Sequence, residues 1–183
     1  MANGKYERID RTLIHRGAVI DEYVDSISLP DGRIEKWDLV DHKGAAAVVP
    51  VRDDGRILMV RQWRNPSGKE LLEIPAGKLD ARDEPMEEAA ARELKEETGY
   101  SAGKLSLLVD FCPTVAYSSE RIGIYVAEDL VRGRQQLDDD EFLDVEARDA
   151  DELVQQILRG EITDGKTIAG LFAYVYRRDH GSL

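Results

Sequence analysis

Apolar and polar positions alternate in two distinct ways along this chain. Near the N-terminus the pattern is strand-like. Tyr23–Leu29 and Arg33–Val40 flank the turn sequence Pro30-Asp31-Gly32 and predict a hairpin. Ala45–Arg52 and Arg56–Trp63 flank Asp53-Asp54-Gly55 and predict a second one. Leu71–Ile74 is a short apolar run ending at Pro75-Ala76-Gly77, and Leu105–Cys112 and Arg121–Ala127 read as two further strands. Helical spacing governs three other stretches. Residues 85–98 carry Met86, Ala89, Ala90 and Leu94 on one side, with Pro85 in the first turn, Asp83 or Glu84 as cap and Gly99 as stop. Ala150–Arg159 bears Leu153, Val154, Ile157 and Leu158, followed by Gly160. Lys166–Arg178 bears Ile168, Leu171, Phe172 and Val175. Strands broken by one central helix and closed by C-terminal helices predict a mixed α/β sandwich.

Composition narrows this picture. The 183 residues include 42% hydrophobic ones, enough for one domain with a real core and room for a small appendage. With 37 acids against 25 bases the net charge is −12, which speaks against broad nucleic-acid binding. A single cysteine, Cys112, excludes an intrachain disulfide and a Cys-built zinc site. The polar start MANGKYERID lacks the apolar core of a signal peptide, and no run of about 18 apolar residues could span a membrane. The expectation is a soluble, cytoplasmic protein.

Candidate chemistry sits on the central helix. Glu93, Glu96 and Glu97 stand at i, i+3 and i+4 and share one face. Like charges at that spacing cost roughly 0.2–0.5 kcal/mol per pair. They also lie near the negative end of the helix dipole. A solvated acidic face is the ordinary reading of such a cluster. A hard divalent cation such as Mg²⁺ would instead neutralise it, because oxygen donors suit that ion.

The surrounding residues favour the cation. Arg92-Glu93-Leu94-Lys95-Glu96-Glu97-Thr98-Gly99-Tyr100 resembles the second half of the Nudix signature. The first half departs slightly: six residues separate Gly77 from Glu84, where the family has five. Asp83 keeps the family distance from Gly77, and Glu84 keeps it from Arg92. Leu72-Glu73-Ile74-Pro75-Ala76-Gly77, Arg61-Gln62-Trp63-Arg64, Ser118-Ser119-Glu120-Arg121 and the acidic run Asp138–Val145 resemble segments of the ADP-ribose pyrophosphatase-like subfamily.

The resemblance implies a fold, an activity and a set of residues. The fold is a Nudix α/β/α sandwich with a mixed sheet over residues 44–183. An N-terminal antiparallel β subdomain over residues 1–43 would be exchanged in a homodimer. The activity is Mg²⁺-dependent hydrolysis of ADP-ribose to AMP and ribose 5-phosphate, with Mn²⁺ as a substitute. Another nucleoside diphosphate sugar such as GDP-mannose, or a non-catalytic nucleotide-binding module, are the alternatives. The metal would sit on the Ala76 carbonyl, Glu93 and Glu97, with Glu96 and Glu141 close by, and Arg92 would hold Glu93. Glu141, or Asp139 in its place, would steer the proton of the attacking water. Arg64, then Arg61, would meet phosphate or ribose. Strand alternation turns those two arginines to opposite faces. Glu73 and Glu120 would accept from ribose hydroxyls, and Trp37 or Trp63 would stack on adenine.

One motif competes. Gly160–Thr167 fits GxxxxGK[ST], the phosphate-cradling P-loop. A P-loop follows a buried strand, whereas helical periodicity precedes this one, and Glu161 and Asp164 would repel phosphate. Gly160 therefore reads as a helix end and Asp164 as the cap of the last helix.

Overall fold

Ala45–Pro50 has no charged side chain on either face, and all six residues are buried in the computed structural model, which describes residues 5–137 and 141–181. A strand buried on both faces belongs in the middle of a layered structure. This one, β4, is the centre of the larger of two compact units, Ala45–Phe111 with Arg121–Leu183. The smaller unit is Met1–Gly44 with Cys112–Glu120.

The smaller unit is an antiparallel sheet of β1 (Glu7–Arg16), β2 (Ile20–Ser28) and β3 (Ile34–His42), in that order. The turn expected at Pro30-Asp31-Gly32 is present, closed by Gly32 N–H donating to the Leu29 carbonyl at 2.9 Å. Asp25, the buried acid of this unit, accepts two hydrogen bonds from Arg11 at 2.7 Å each. Residues 112–120 join the unit because the Val40 amide donates to the Tyr117 carbonyl and the Ser119 amide to the Val40 carbonyl.

In the larger unit, β4 runs parallel to β9 (Ile122–Arg132) and antiparallel to β7 (Ala76–Lys78), while β8 (Tyr100–Phe111) pairs antiparallel with β9. The resulting mixed sheet has the order β7-β4-β9-β8. A second, antiparallel sheet has the order β10-β5-β6, from β5 (Ile57–Arg64), β6 (Lys69–Glu73) and β10 (Leu143–Arg148). Odd residues of β4, such as Ala47 and Val49, pack with Ile74, Ile124 and Leu171; even ones, Ala46 and Val48, pack with Ala89, Ala90 and Leu94. Thus α1 (Met86–Thr98) covers one face of the mixed sheet, and α3 (Gly165–His180) covers the other. The shorter α2 (Ala150–Leu158) packs beside α3. The expected α/β sandwich with an N-terminal antiparallel sheet is the architecture found.

Two local expectations need correction. The turn at Asp53-Asp54-Gly55 forms, with the Arg52 amide donating to the Arg56 carbonyl at 2.9 Å, but its strands do not make a hairpin. After a single bridge, Val51 to Ile57, β4 enters one sheet and β5 the other. Turn chemistry is local, whereas burial on both faces requires different neighbours for each strand. The α1 cap also differs. Pro85 occupies the N-cap without a side-chain bond, and Glu84 instead accepts from the Asp80 amide at 2.6 Å. Asp164 caps α3 as expected, and Asp149 caps α2.

Gly99 ends α1 at φ 75°, and a Cβ there would stand 2.7 Å from the Gln135 nitrogen. Left-handed backbone costs a side-chain-bearing residue about 1–2 kcal/mol, before that clash is added. Gly99→Ala should therefore lower the melting temperature by roughly 2–4 °C per kcal/mol lost. A calorimetric scan identical to wild type would contradict the fit.

Candidate active site

The last two turns of α1 set the site. Placing acids at i, i+3 and i+4 aims them at one spot, and packing of Ala89, Ala90 and Leu94 under β4 fixes that face. Glu93 and Glu97 are buried, whereas Glu96 is about one-third exposed. Beside them opens a cleft of about 280 Å³, lined by Gln62 and Arg64 of β5, Ala76 and Gly77 of β7, and Arg92, Glu93, Glu96 and Glu141 among others.

Arg92 gathers the acids. It donates to Glu93 Oε1 at 2.6 Å, Glu96 Oε2 at 3.1 Å, Glu84 Oε1 at 3.3 Å and the Lys78 carbonyl at 3.2 Å. Burial works against its charge, but these carboxylates more than compensate and raise its pKa. Glu84 is thus the acid that continues the signature, and the extra residue is absorbed by the loop that Glu84 closes onto Asp80. Gly77 is required by close approach: a Cβ there would lie 2.0 Å from Glu93 Oε1.

Burial pushes the Glu93 carboxyl up, against the pull of Arg92, and Glu96 and Glu141 push it further. The effect on Glu97 is larger. Burial first, then Glu141 and Glu93, raise it to about 9, opposed by the Ala76 amide and Lys166. That amide donates to Glu97 Oε2 at 3.1 Å. These groups fit a hard divalent cation. They are oxygen donors, crowded and desolvated, with more negative charge than their partners offset. Among the described residues, no three acid, histidine or cysteine side chains are already arranged as a group that could hold a metal ion. Arg92 and the Ala76 amide hold the acids instead.

The cleft brings together Ala76, Arg92, Glu93, Glu96, Glu141 and Arg64, with Glu97 hydrogen-bonded to the Ala76 amide. Arg61 is turned away and paired with Glu146 at 2.7 Å, as alternation along β5 requires. Glu73 has a different place from the one expected. It is buried, and both its oxygens are taken by Arg64 at 2.8 and 2.7 Å, so it cannot present itself to a ribose. Glu120 and Trp37 belong to the smaller unit, where Glu120 lies 3.7 Å from His42 Nδ1 and half-exposed Trp37 lies against Tyr6. Trp63 is largely exposed. Asp139 lies outside the described residues.

Gln62 was not anticipated. It donates to Glu141 Oε1 at 3.1 Å. Its signal was available, because it stands two residues before Arg64 on the same face of a strand. Lys166 enters the sequence reading only through the false P-loop, whereas Asp164 is the cap expected for the last helix. The stretch begins after a helix, and Asp164 Oδ2 accepts from the Thr167 amide at 2.9 Å, as a cap does.

The model of the NUDIX domain matches residues 41–171. An ADP-ribose pyrophosphatase of Bacillus subtilis is 40% identical over 161 residues, covering 87% of this chain and 86% of its own length. An ADP-ribose pyrophosphatase of Mycobacterium tuberculosis is 37% identical over 175 residues, covering 94% and 84%. A crystal structure of an ADP compounds hydrolase superposes with a TM-score of 0.83 at 21% identity, covering 98% of this chain and 97% of that one.

The Glu97 shift has a thermodynamic sign. Its pKa rises on folding from 4.5 to about 9, so between those values the folded chain keeps a proton that the unfolded chain releases. Stability is full below that window and falls as pH rises through it. In EDTA, the melting temperature of the wild type should decline across this range, and Glu97→Gln should flatten the decline. Parallel curves for the two proteins would contradict the burial of an ionisable Glu97.

Proposed function

The chain belongs to the NUDIX domain family, and from that premise we propose that it hydrolyses the diphosphate linkage of ADP-ribose, giving AMP and ribose 5-phosphate with a divalent cation. The observation that carries this reading is buried Glu93 lining a cleft shared with Arg64, Glu96 and Glu141, with Glu97 on the same helix face held by the Ala76 amide. The two ADP-ribose pyrophosphatases, similar over most of their lengths, support the substrate class. Mg²⁺ is the proposed ion, and Mn²⁺ can replace it.

Glu93, Glu97 and the Ala76 carbonyl would hold the cation, with Glu96 beside them. When bound, such an ion neutralises phosphate oxygens and lowers the pKa of a coordinated water. Arg92 orients Glu93 through its short, charge-assisted bond. Glu141, one oxygen fixed by Gln62, receives the proton from the attacking water. That water adds to a phosphorus, the bridging P–O bond breaks, and the leaving phosphate departs as a monoester. Arg64 meets the ligand's phosphate or ribose at the cleft rim. Intact Glu93, Glu96 and Glu97 favour catalysis over a purely nucleotide-binding role.

The reading includes a homodimer. The smaller unit exposes Ile9, Leu13, Ile14, Val19, Ile20, Ile34 and Trp37, more large apolar side chains than a monomer's three-stranded sheet ordinarily leaves in water. A second copy of the same sheet is the proposed cover. A cytoplasmic location is part of the proposal, supported by the free, exposed Cys112. No described helix is long and apolar enough to cross a membrane.

With Mg²⁺, a panel of ADP-ribose, other ADP-sugars, GDP-mannose, diadenosine polyphosphates and NADH should show the highest kcat/KM for ADP-ribose, and EDTA should abolish it. A preference for GDP-mannose would overturn the substrate. Glu97→Gln should lose several orders of magnitude in kcat while its circular dichroism stays native. Near wild-type turnover would sink the metal face. Light scattering at micromolar concentration should give twice the chain mass, and a clean monomer would refute the dimer.

A further inference from the structure

From Arg64 at the cleft runs a chain of charged groups whose other members the proposed reaction does not use. Arg64 reaches Glu73 through both Nε and Nη2, a two-pronged grip at 2.8 and 2.7 Å. Glu73 Oε2 accepts a second donor, Lys166 Nζ, which also donates to Asp164 Oδ2 at 3.0 Å. Asp164 in turn caps α3, accepting from Thr167 Oγ1 at 2.6 Å. Thr167, fully buried, accepts from the Ile74 amide at 2.9 Å through that same hydroxyl oxygen. The group balances two cations against two anions, and Glu73 is only 1% exposed at its centre.

Arg64 is the member that reaches the cleft. Its guanidinium can face a ligand in one orientation only while Glu73 keeps one rotamer. Arg64 is itself more than one-third exposed, so it cannot hold Glu73 still by packing. Lys166 can: its side chain is 13% exposed, and the capped start of α3 anchors it through Asp164. Without Lys166, the two carboxylates Glu73 and Asp164 would share Arg64 as the remaining cation of the group, and Glu73 is the one taken out of water.

We propose that Lys166 is a positioning residue, which fixes Glu73 and through it orients the Arg64 guanidinium toward the substrate. This rests on the reading of Arg64 as a substrate contact in ADP-ribose hydrolysis. Lys166 does not line the cleft, so its removal should weaken substrate binding and leave the chemical step in place.

A double-mutant cycle on Mg²⁺-loaded protein tests this. Lys166→Met should raise KM for ADP-ribose on the order of tenfold with little change in kcat, and should add almost nothing to Arg64→Ala. Independent, multiplying effects on KM would overturn the proposal. A merely structural Lys166 is separated by combining Lys166→Met with Glu73→Gln, which removes both charges together. That pair should regain melting temperature yet keep the raised KM, because Arg64 has lost its carboxylate. Recovery of KM along with stability would overturn the proposal. A readout without substrate is the exchange rate of the Arg64 Nε–H by NMR, protected in wild type and faster in Lys166→Met. An unchanged rate would refute the positioning. If the wild type leaves ADP-ribose intact while that rate responds, the substrate reading fails and the positioning of Arg64 stands.

Discussion

Desolvated carboxylates are the constraint around which the larger unit is organised. Glu73, Glu93 and Glu97 are all buried, and a buried anion is tolerated only beside positive charge or strong donors. Each acid is answered differently. Glu73 has Arg64 and Lys166. Glu93 has Arg92 and lies against a glycine because any Cβ would displace it. Glu97 accepts from a neutral amide, that of Ala76, and its carboxyl is raised to about 9. The site is therefore unevenly compensated: Glu97 is held as the neutral acid until a divalent cation brings the charge that can replace its proton.

This arrangement also gives the net charge a finer meaning. Residues 83–97 hold seven acids against two bases, net −5, and residues 138–152 hold nine against one, net −8. In the first segment four acids converge on the site: Glu84, Glu93 and Glu96 on Arg92, and Glu97 on the Ala76 amide. Most described acids of the second have structural duties instead. Glu146 pairs with Arg61 and Arg148, and Asp149 caps α2. Among the described acids of that second segment, Glu141 is the one lining the cleft.

Much of this was legible before any coordinates. The helical face of Glu93, Glu96 and Glu97 could be read because period and spacing are properties of one segment. The same holds for the cap at Asp164 and the turn at Gly32. What failed depends on partners far away in sequence. AAAVVP and RILMVRQW look like a hairpin because the turn between them is a good one, yet each strand is hydrophobic on both faces and needs its own sheet. Leu143–Arg148 was hidden as a strand by its acids, which an edge position and arginine partners make acceptable. Glu73 resembled a ligand contact, but its donors come from residues 9 and 93 positions away. Lys166 sat in a motif with the wrong meaning for the same reason.

Proton release on cation binding measures the central idea most directly. At pH 7 a carboxyl with a pKa of about 9 is protonated, and it must ionise to become a ligand. Titrating Mg²⁺ into the protein by calorimetry, in buffers of different ionisation enthalpy, counts the protons lost. About one proton per site is expected from the wild type, and none from Glu97→Gln. Equal heats in every buffer for the wild type would contradict a buried Glu97 that gives up its proton to a cation.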